Sequence, residues 1–244
     1  MFEMFHLKQY FVFVLVSFIA LASSMKMQAQ SVMGMNGLFY VPTAENVEGG
    51  KFMVGANYLP KEALPPYFTQ TYNSANYFVD INIFSFLEVC YRMTMIKGEN
   101  GKLNQQDRSY TIKIRPISEG KYRPGLAIGI TDPFNDGGVN SYESYYGVLT
   151  KGFNLGNNVL SLSIGSYLNK KRDDLRKKDF GNVFYGLSFK PAFCKDIKLI
   201  GEYDSKVYNA GVEVTLLKHF NINAFLYDMK HLSAGIRYEY VLKH

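Results

Sequence analysis

The chain of 244 residues contains no tryptophan, two cysteines and four histidines, and behind its first thirty residues it has no long hydrophobic run. Each scarcity closes off a class of protein. Cys90 and Cys194 are too few for a disulfide-stapled scaffold. With one in an alternating stretch and the other in a turn-like stretch, no pairing between them is expected. The missing apolar runs exclude membrane-spanning helices from the body of the chain. No CxxC, HExxH, Walker-loop or EF-hand spacing occurs, so neither a metal nor a cofactor is expected. Much of the net charge of +6 sits in Lys170-Lys171-Arg172 and Arg176-Lys177-Lys178, around Asp173 and Asp174. In an exported chain such a cluster reads as a solvated loop rather than a nucleic-acid patch.

Export is the expectation because of the front segment. Lys8 precedes an apolar run from Tyr10 to Ala22, followed by Ser23, Ser24 and the cleavage-like Met27-Gln28-Ala29. This is the layout of a secretory signal over residues 1–29, and its apolar run is shorter than the ~20 residues a spanning helix needs. A mature chain is expected to start near Gln30. No Cys near that point marks a lipid-anchored lipoprotein.

The remainder alternates. Tyr77, Val79, Ile81 and Ile83 interleave with Phe78, Asp80 and Asn82; Leu87, Val89, Tyr91, Met93 and Met95 interleave with Glu88, Cys90, Arg92 and Thr94. The same pattern recurs around 110–115, 160–165, 183–190, 208–216 and 232–240, and less regularly at 51–58, 124–132, 142–151, 196–204 and 219–227. Because a strand points successive side chains to opposite faces, each of these about twelve segments carries one apolar and one polar face. Only the 142–151 segment leaves its facing open, since Tyr145, Tyr146 and Leu149 fall on both sides.

Most of these segments run roughly eight to eleven residues, the length of a tilted transmembrane strand. The odd-numbered connections (59–74, 97–108, 133–141, 168–181 and brief ones near Ser205 and Met229) are on the whole longer than the even-numbered ones (Phe84-Ser85, 117–122, 152–157, 191–195, Leu217-Lys218), as in a barrel with external loops and periplasmic turns. Alternation by itself fits either a soluble barrel with an apolar interior or a membrane barrel with an apolar exterior. The export signal, the loop asymmetry and the many Gly, Ser and Thr on the polar face favour the second. The predicted fold is an all-β, antiparallel transmembrane barrel of about twelve strands, over residues 51–244, in the outer membrane and in contact with its lipid. Aromatic residues, 19 Tyr and 19 Phe, suit the interfacial girdles of such a barrel.

With the polar faces turned inward, Glu88, Arg92, Lys113, Arg115, Lys190, Lys198, Glu202, Asp204, Glu213, Arg237 and Glu239 point to the lumen. Their mixed signs suggest a salt-bridged filler, because an unpaired charge in a narrow interior is costly; a sugar track using Asn221, Asn223 and Tyr227 is the alternative. No catalytic site is expected. An outer-membrane lipid hydrolase would need a Ser activated by a His; His6 leaves with the signal, His244 is terminal, His219 falls on the short-turn side, and His231 is left as the one candidate at the opposite rim. Surface loops at 59–74 and 168–181 would suit an adhesive barrel. The segment 30–50 reads as a periplasmic or plug-like lead-in. Its Pro42-Thr43-Ala44 is taken first as a simple turn into the first strand, with a small plug in the barrel mouth as the other reading.

Gly37-Leu38-Phe39-Tyr40-Val41-Pro42-Thr43-Ala44 resembles the opening of the YjbH-type outer-membrane proteins associated with exopolysaccharide and capsule export. The likeness continues through Glu88-Val89-Cys90-Tyr91-Arg92, Asp107-Arg108-Ser109, Lys113-Ile114-Arg115, Glu119 to Pro124, Ala127 to Asp132 and Glu202-Tyr203-Asp204-Ser205. Cys90 stands where that family usually has Gly, and the likeness is to the first barrel part of the family's longer members. What the resemblance implies is a channel or scaffold in polysaccharide export or assembly, with polysaccharide and periplasmic export components as partners. Gly37, Pro42, Thr43 and Ala44 are its motif residues.

Overall fold

The computed structural model describes residues 31–64, 72–97, 103–133, 144–168 and 182–242. The expected signal at 1–29 and most of the charged 168–181 loop lie outside these residues. Twelve strands follow one another: β1 (Lys51–Leu59), β2 (Ser74–Phe84), β3 (Leu87–Lys97), β4 (Leu103–Ile117), β5 (Gly125–Thr131), β6 (Ser144–Leu155), β7 (Asn158–Leu168), β8 (Val183–Lys190), β9 (Ile197–Tyr203), β10 (Tyr208–Leu216), β11 (Phe220–Tyr227) and β12 (His231–Val241). Each pairs antiparallel with its sequence neighbours, and β1 closes on β12 with Lys51 opposite Val241 and Tyr58 opposite Ala234. Closure leaves no unpaired edge, the condition for a sheet to cross a bilayer.

The wall turns its apolar face outward. On β2, Tyr77, Val79, Ile81 and Ile83 are exposed while Phe78, Asp80 and Asn82 are buried. The same holds on β11, where Phe220, Ile222 and Leu226 face out and Asn221, Asn223 and Phe225 face in. The chain is therefore a transmembrane β-barrel of twelve strands. β6 resolves its own ambiguity: Tyr146, Val148 and Thr150 are buried inside, and Tyr145 and Leu149 are exposed outside. β4 begins earlier than its sequence pattern indicates, so the β3–β4 connection shrinks to residues 98–102. Near its other end the register slips between Ile114 and Ile117, around Pro116. A bulge is where a strand tolerates a residue without a backbone donor.

Gly within the strands has a specific use. Four inward glycines lie directly opposite inward aromatic residues of the neighbouring strand: Gly55 opposite Phe78, Gly129 opposite Tyr146, Gly165 opposite Phe184, and Gly211 opposite Phe225. A Cβ on Gly129 would lie 2.1 Å from Cζ of Tyr146, and one on Gly165 would lie 2.4 Å from Cζ of Phe184. At Gly55, Gly129 and Gly165 the facing ring occupies the space a Cβ would need, so the missing side chain makes room for a large one inside the wall.

Candidate functional site

The lumen is filled by the chain's own N-terminal segment. Val32, Met35, Leu38, Phe39, Val41 and Ala44 are all buried, and they form one apolar cluster with the inward wall residues Phe78, Ala127, Tyr146, Val148, Phe184, Ile200 and Phe225. Phe39 stacks on Phe225 with ring centroids 4.2 Å apart. Leu38 reaches the wall over Gly186, and Gly34, at φ +94°, fits against Phe78 and Cys90 where a Cβ would be 2.6 Å from Cys90 Sγ. A side chain would therefore be excluded twice at Gly34, by the backbone angle and by the contact. Fully burying a large apolar side chain contributes about 1.5–3 kcal/mol, so this cluster holds the segment as a soluble protein's core would.

The segment folds back on itself. The Val32 N–H donates to the Phe39 carbonyl (2.6 Å), the Leu38 N–H donates to the Val41 carbonyl (2.7 Å), and Gly37 bridges to Pro42. A compact knot of this kind leaves backbone groups pointing at the wall, and buried backbone groups need partners. The wall supplies them. The Asn36 N–H and side-chain amide both donate to Glu88 Oε1 (2.6 and 2.9 Å), while Lys113 Nζ donates to the Asn36 carbonyl (2.8 Å) and pairs with Glu88 Oε2 at 2.6 Å. The Tyr40 and Val41 N–H groups donate to the two oxygens of Glu202 (2.8 and 3.2 Å), to which the Asn209 amide adds a bond of 3.0 Å. Asn76 donates to the Val32 carbonyl, and Thr150 accepts from the Ala44 N–H, each at 2.8 Å. Lower down, Glu45 pairs with Lys198 at 3.5 Å.

Pro42-Thr43-Ala44 is thus not a turn at the barrel's lip. All three residues are buried inside, where the Ala44 amide is bonded to the wall. Of the two readings of this motif, the entry turn gives way to the plug-like one; the segment has no strand or helix period by which the sequence could decide between them.

Of the residues expected in the lumen, Glu88, Arg92, Lys113, Arg115, Lys198, Glu202, Glu213 and Arg237 are buried inside the wall. Arg237 pairs with Glu213 and Glu239 at 3.3 Å each, and Glu239 continues to Lys51 at 2.9 Å. Arg115 donates to the Ser85 carbonyl at 2.5 Å, and Lys190 sits half-buried at the end of β8. Asp204 lies just past β9, where its carboxylate accepts the N–H groups of Lys206 and Val207 (2.9 Å each) and also bonds the side chain of the inward Asn209. Such a short carboxylate-to-backbone loop is what Asp does best at a turn. Asn221 receives the Thr215 hydroxyl at 2.5 Å, and Tyr227 packs on Tyr40 with centroids 5.6 Å apart, so the inward polar groups touch the wall and the segment. Lys51 and Asp80, both buried, are luminal charges that the sequence pattern did not single out. Cys90 and Cys194 are unpaired.

The remaining histidines are engaged. His231 Nδ1 lies 3.5 Å from Glu62, and His219 Nδ1 lies 2.9 Å from the Glu239 carbonyl oxygen.

Residues 29–242 match the family model for YjbH, described as exopolysaccharide biosynthesis protein YbjH. The chain belongs to the YjbH family. No curated protein matches it in sequence. Among solved structures, the outer membrane protein Omp33 of Acinetobacter baumannii is similar with a TM-score of 0.45 and 8% identity, over 81% of this chain and 100% of that one. Outer membrane phospholipase A of Escherichia coli is similar at 0.43 and 8% identity, over 82% of this chain and 98% of that one.

Proposed function

We propose that this YjbH-family chain sits in the outer membrane as a sealed barrel and serves as a scaffold in exopolysaccharide or capsule export or assembly. The observation that carries the scaffold reading is the lumen occupied by residues 31–44, held by apolar packing and by Glu88, Glu202 and Thr150. A channel would need that whole set broken at once. Polysaccharide and periplasmic export components are the partners this role implies, and lipid surrounds the wall. A non-catalytic role is part of this reading.

The test is complementation of a strain lacking the gene, with surface polysaccharide as the readout. In a Cys194→Ser background, Leu38→Cys with Gly186→Cys places two thiols where the side chain of residue 38 meets the wall. Once oxidised, this locked form is expected to restore surface polysaccharide as well as the wild type does. Restoration only after reduction would make the segment a gate and the barrel a channel. Unchanged polysaccharide in the deletion strain would remove the export role.

A further inference from the structure

A second feature lies on the outside of the barrel, away from the luminal segment. Across β6 to β10 the lipid-facing wall is dented into a groove of about 970 Å³. Its floor is the cross-strand pair Gly201 and Ala210, two small outward residues side by side. Leu162, Ile164 and Leu187 stand along it. At the loop end it is closed by three adjacent tyrosines: Tyr185 and Tyr208 flank Tyr203, and their hydroxyls meet at 3.1 Å. At the turn end the groove opens at Pro124 and Phe153. There the β4–β5 turn presents Lys121, Tyr122 and Arg123, all exposed. Glu119 of the same turn is occupied by Lys151 Nζ (3.0 Å) and the Gly152 N–H (2.8 Å), so the two exposed cations have no acid of their own turn to neutralise them.

An apolar trough bounded at one end by tyrosine hydroxyls and at the other by two cations matches one kind of occupant. Hydrocarbon fills the trough, since its exposed surface is almost entirely apolar, with Thr150, Lys151, Ser163, Glu202 and Asn209 only at its margins, and that suits an acyl chain. A phosphate belongs at the basic end, where Lys and Arg recognise it at the membrane surface. We propose that the groove is a binding site for an anionic glycerophospholipid of the periplasmic leaflet, its acyl chain lying over Gly201 and Ala210 and its headgroup phosphate held by Lys121 and Arg123. This site is independent of the luminal segment and of any role in polysaccharide export.

Native mass spectrometry of the full folded barrel, released from detergent with equal amounts of phosphatidylglycerol and phosphatidylethanolamine, tests it. The expected result is one retained phosphatidylglycerol per barrel, favoured at least fivefold over phosphatidylethanolamine. Gly201→Leu fills the floor, and a Cβ there meets nothing closer than Leu187 Cγ at 4.0 Å, so the variant is expected to fold. It is expected to retain at least fivefold less of either lipid. Lys121→Gln with Arg123→Gln is expected to keep lipid binding but lose the preference for phosphatidylglycerol. Glycerol phosphate alone is expected not to be retained. Equal retention by wild type and Gly201→Leu, a preference that survives the loss of both cations, or paired barrels in place of lipid adducts would overturn the site.

Discussion

Two arcs of the same wall face the same segment with opposite chemistry. From β9 round through β12 to β4, the inward positions carry the charges: Lys198, Glu202, Glu213, Arg237, Glu239, Lys51, Asp80, Glu88, Arg92 and Lys113. From β5 to β8 the described inward positions carry Ala127, Tyr146, Val148, Tyr167, Phe184, glycines and small hydroxyls, with no charge before Lys190 at the end of β8. The segment matches both arcs, bringing Asn36 and the Tyr40 and Val41 amides to carboxylates of the charged arc, where Phe39 also stacks on Phe225, and Met35, Leu38 and the Ala44 amide to the neutral one. The difference separates position from adhesion. Paired charges are poor sources of net stability but penalise every wrong placement, whereas apolar contact stabilises almost any dry fit.

The comparison can be broken most sharply on the charged arc. Glu88→Ala leaves Lys113 buried beside the Asn36 carbonyl without its carboxylate, and removing one partner of a buried pair costs about 3–5 kcal/mol. Urea unfolding in detergent should register that loss, and protease should then cleave within residues 31–50. Replacing both members, Glu88→Met with Lys113→Met, should recover part of the stability. If Glu88→Ala behaves like a surface change, the charged arc does not hold the segment.

Apolar contact reaches into the charged arc as well: Phe39→Ala removes the ring stacked on Phe225 of β11, and a Phe-to-Ala cavity costs about 3–5 kcal/mol where the surroundings cannot collapse. The loss is expected to fall in the lower part of that range, because Tyr40 also lies against Phe225, with centroids 6.0 Å apart. The barrel itself should remain folded, visible as unchanged heat-modifiable migration in detergent. Loss of the whole barrel would show that the segment is needed for closure and not only for sealing.

A smaller effect is expected from Gly129→Ala. The added Cβ meets the Tyr146 ring, and overpacking of this kind costs about 1–3 kcal/mol. Gly147→Ala is the control, since a Cβ there meets nothing within 4 Å. Equal effects at the two glycines would mean that the ring-over-glycine pairs are incidental to the wall's shape.

These contrasts also explain what could be read from the chain beforehand. The outward face was legible because lipid demands an apolar residue at every second position, so Tyr77, Val79 and Ile81 announce themselves. The inward face answers to a partner elsewhere in the same chain. Phe78, Phe184 and Phe225 sit at polar-face positions, and all three belong to the apolar cluster that residues 31–44 complete. The cue was available in Gly55, Gly165 and Gly211, but it needs the register between strands, which alternation within a strand does not supply. For the same reason the parity of Glu88 and Glu202 is readable from the alternation, while the backbone amides they accept are not. Asp204 shares that parity, and the two turn amides it also accepts are equally invisible to the pattern.

The central claim is that residues 31–44 close the barrel from within. Planar-bilayer conductance of the full folded chain tests it most directly. A silent membrane at moderate voltage is the predicted result; a steady conductance from the unmodified chain, of the size expected for an unobstructed twelve-stranded lumen, would contradict it.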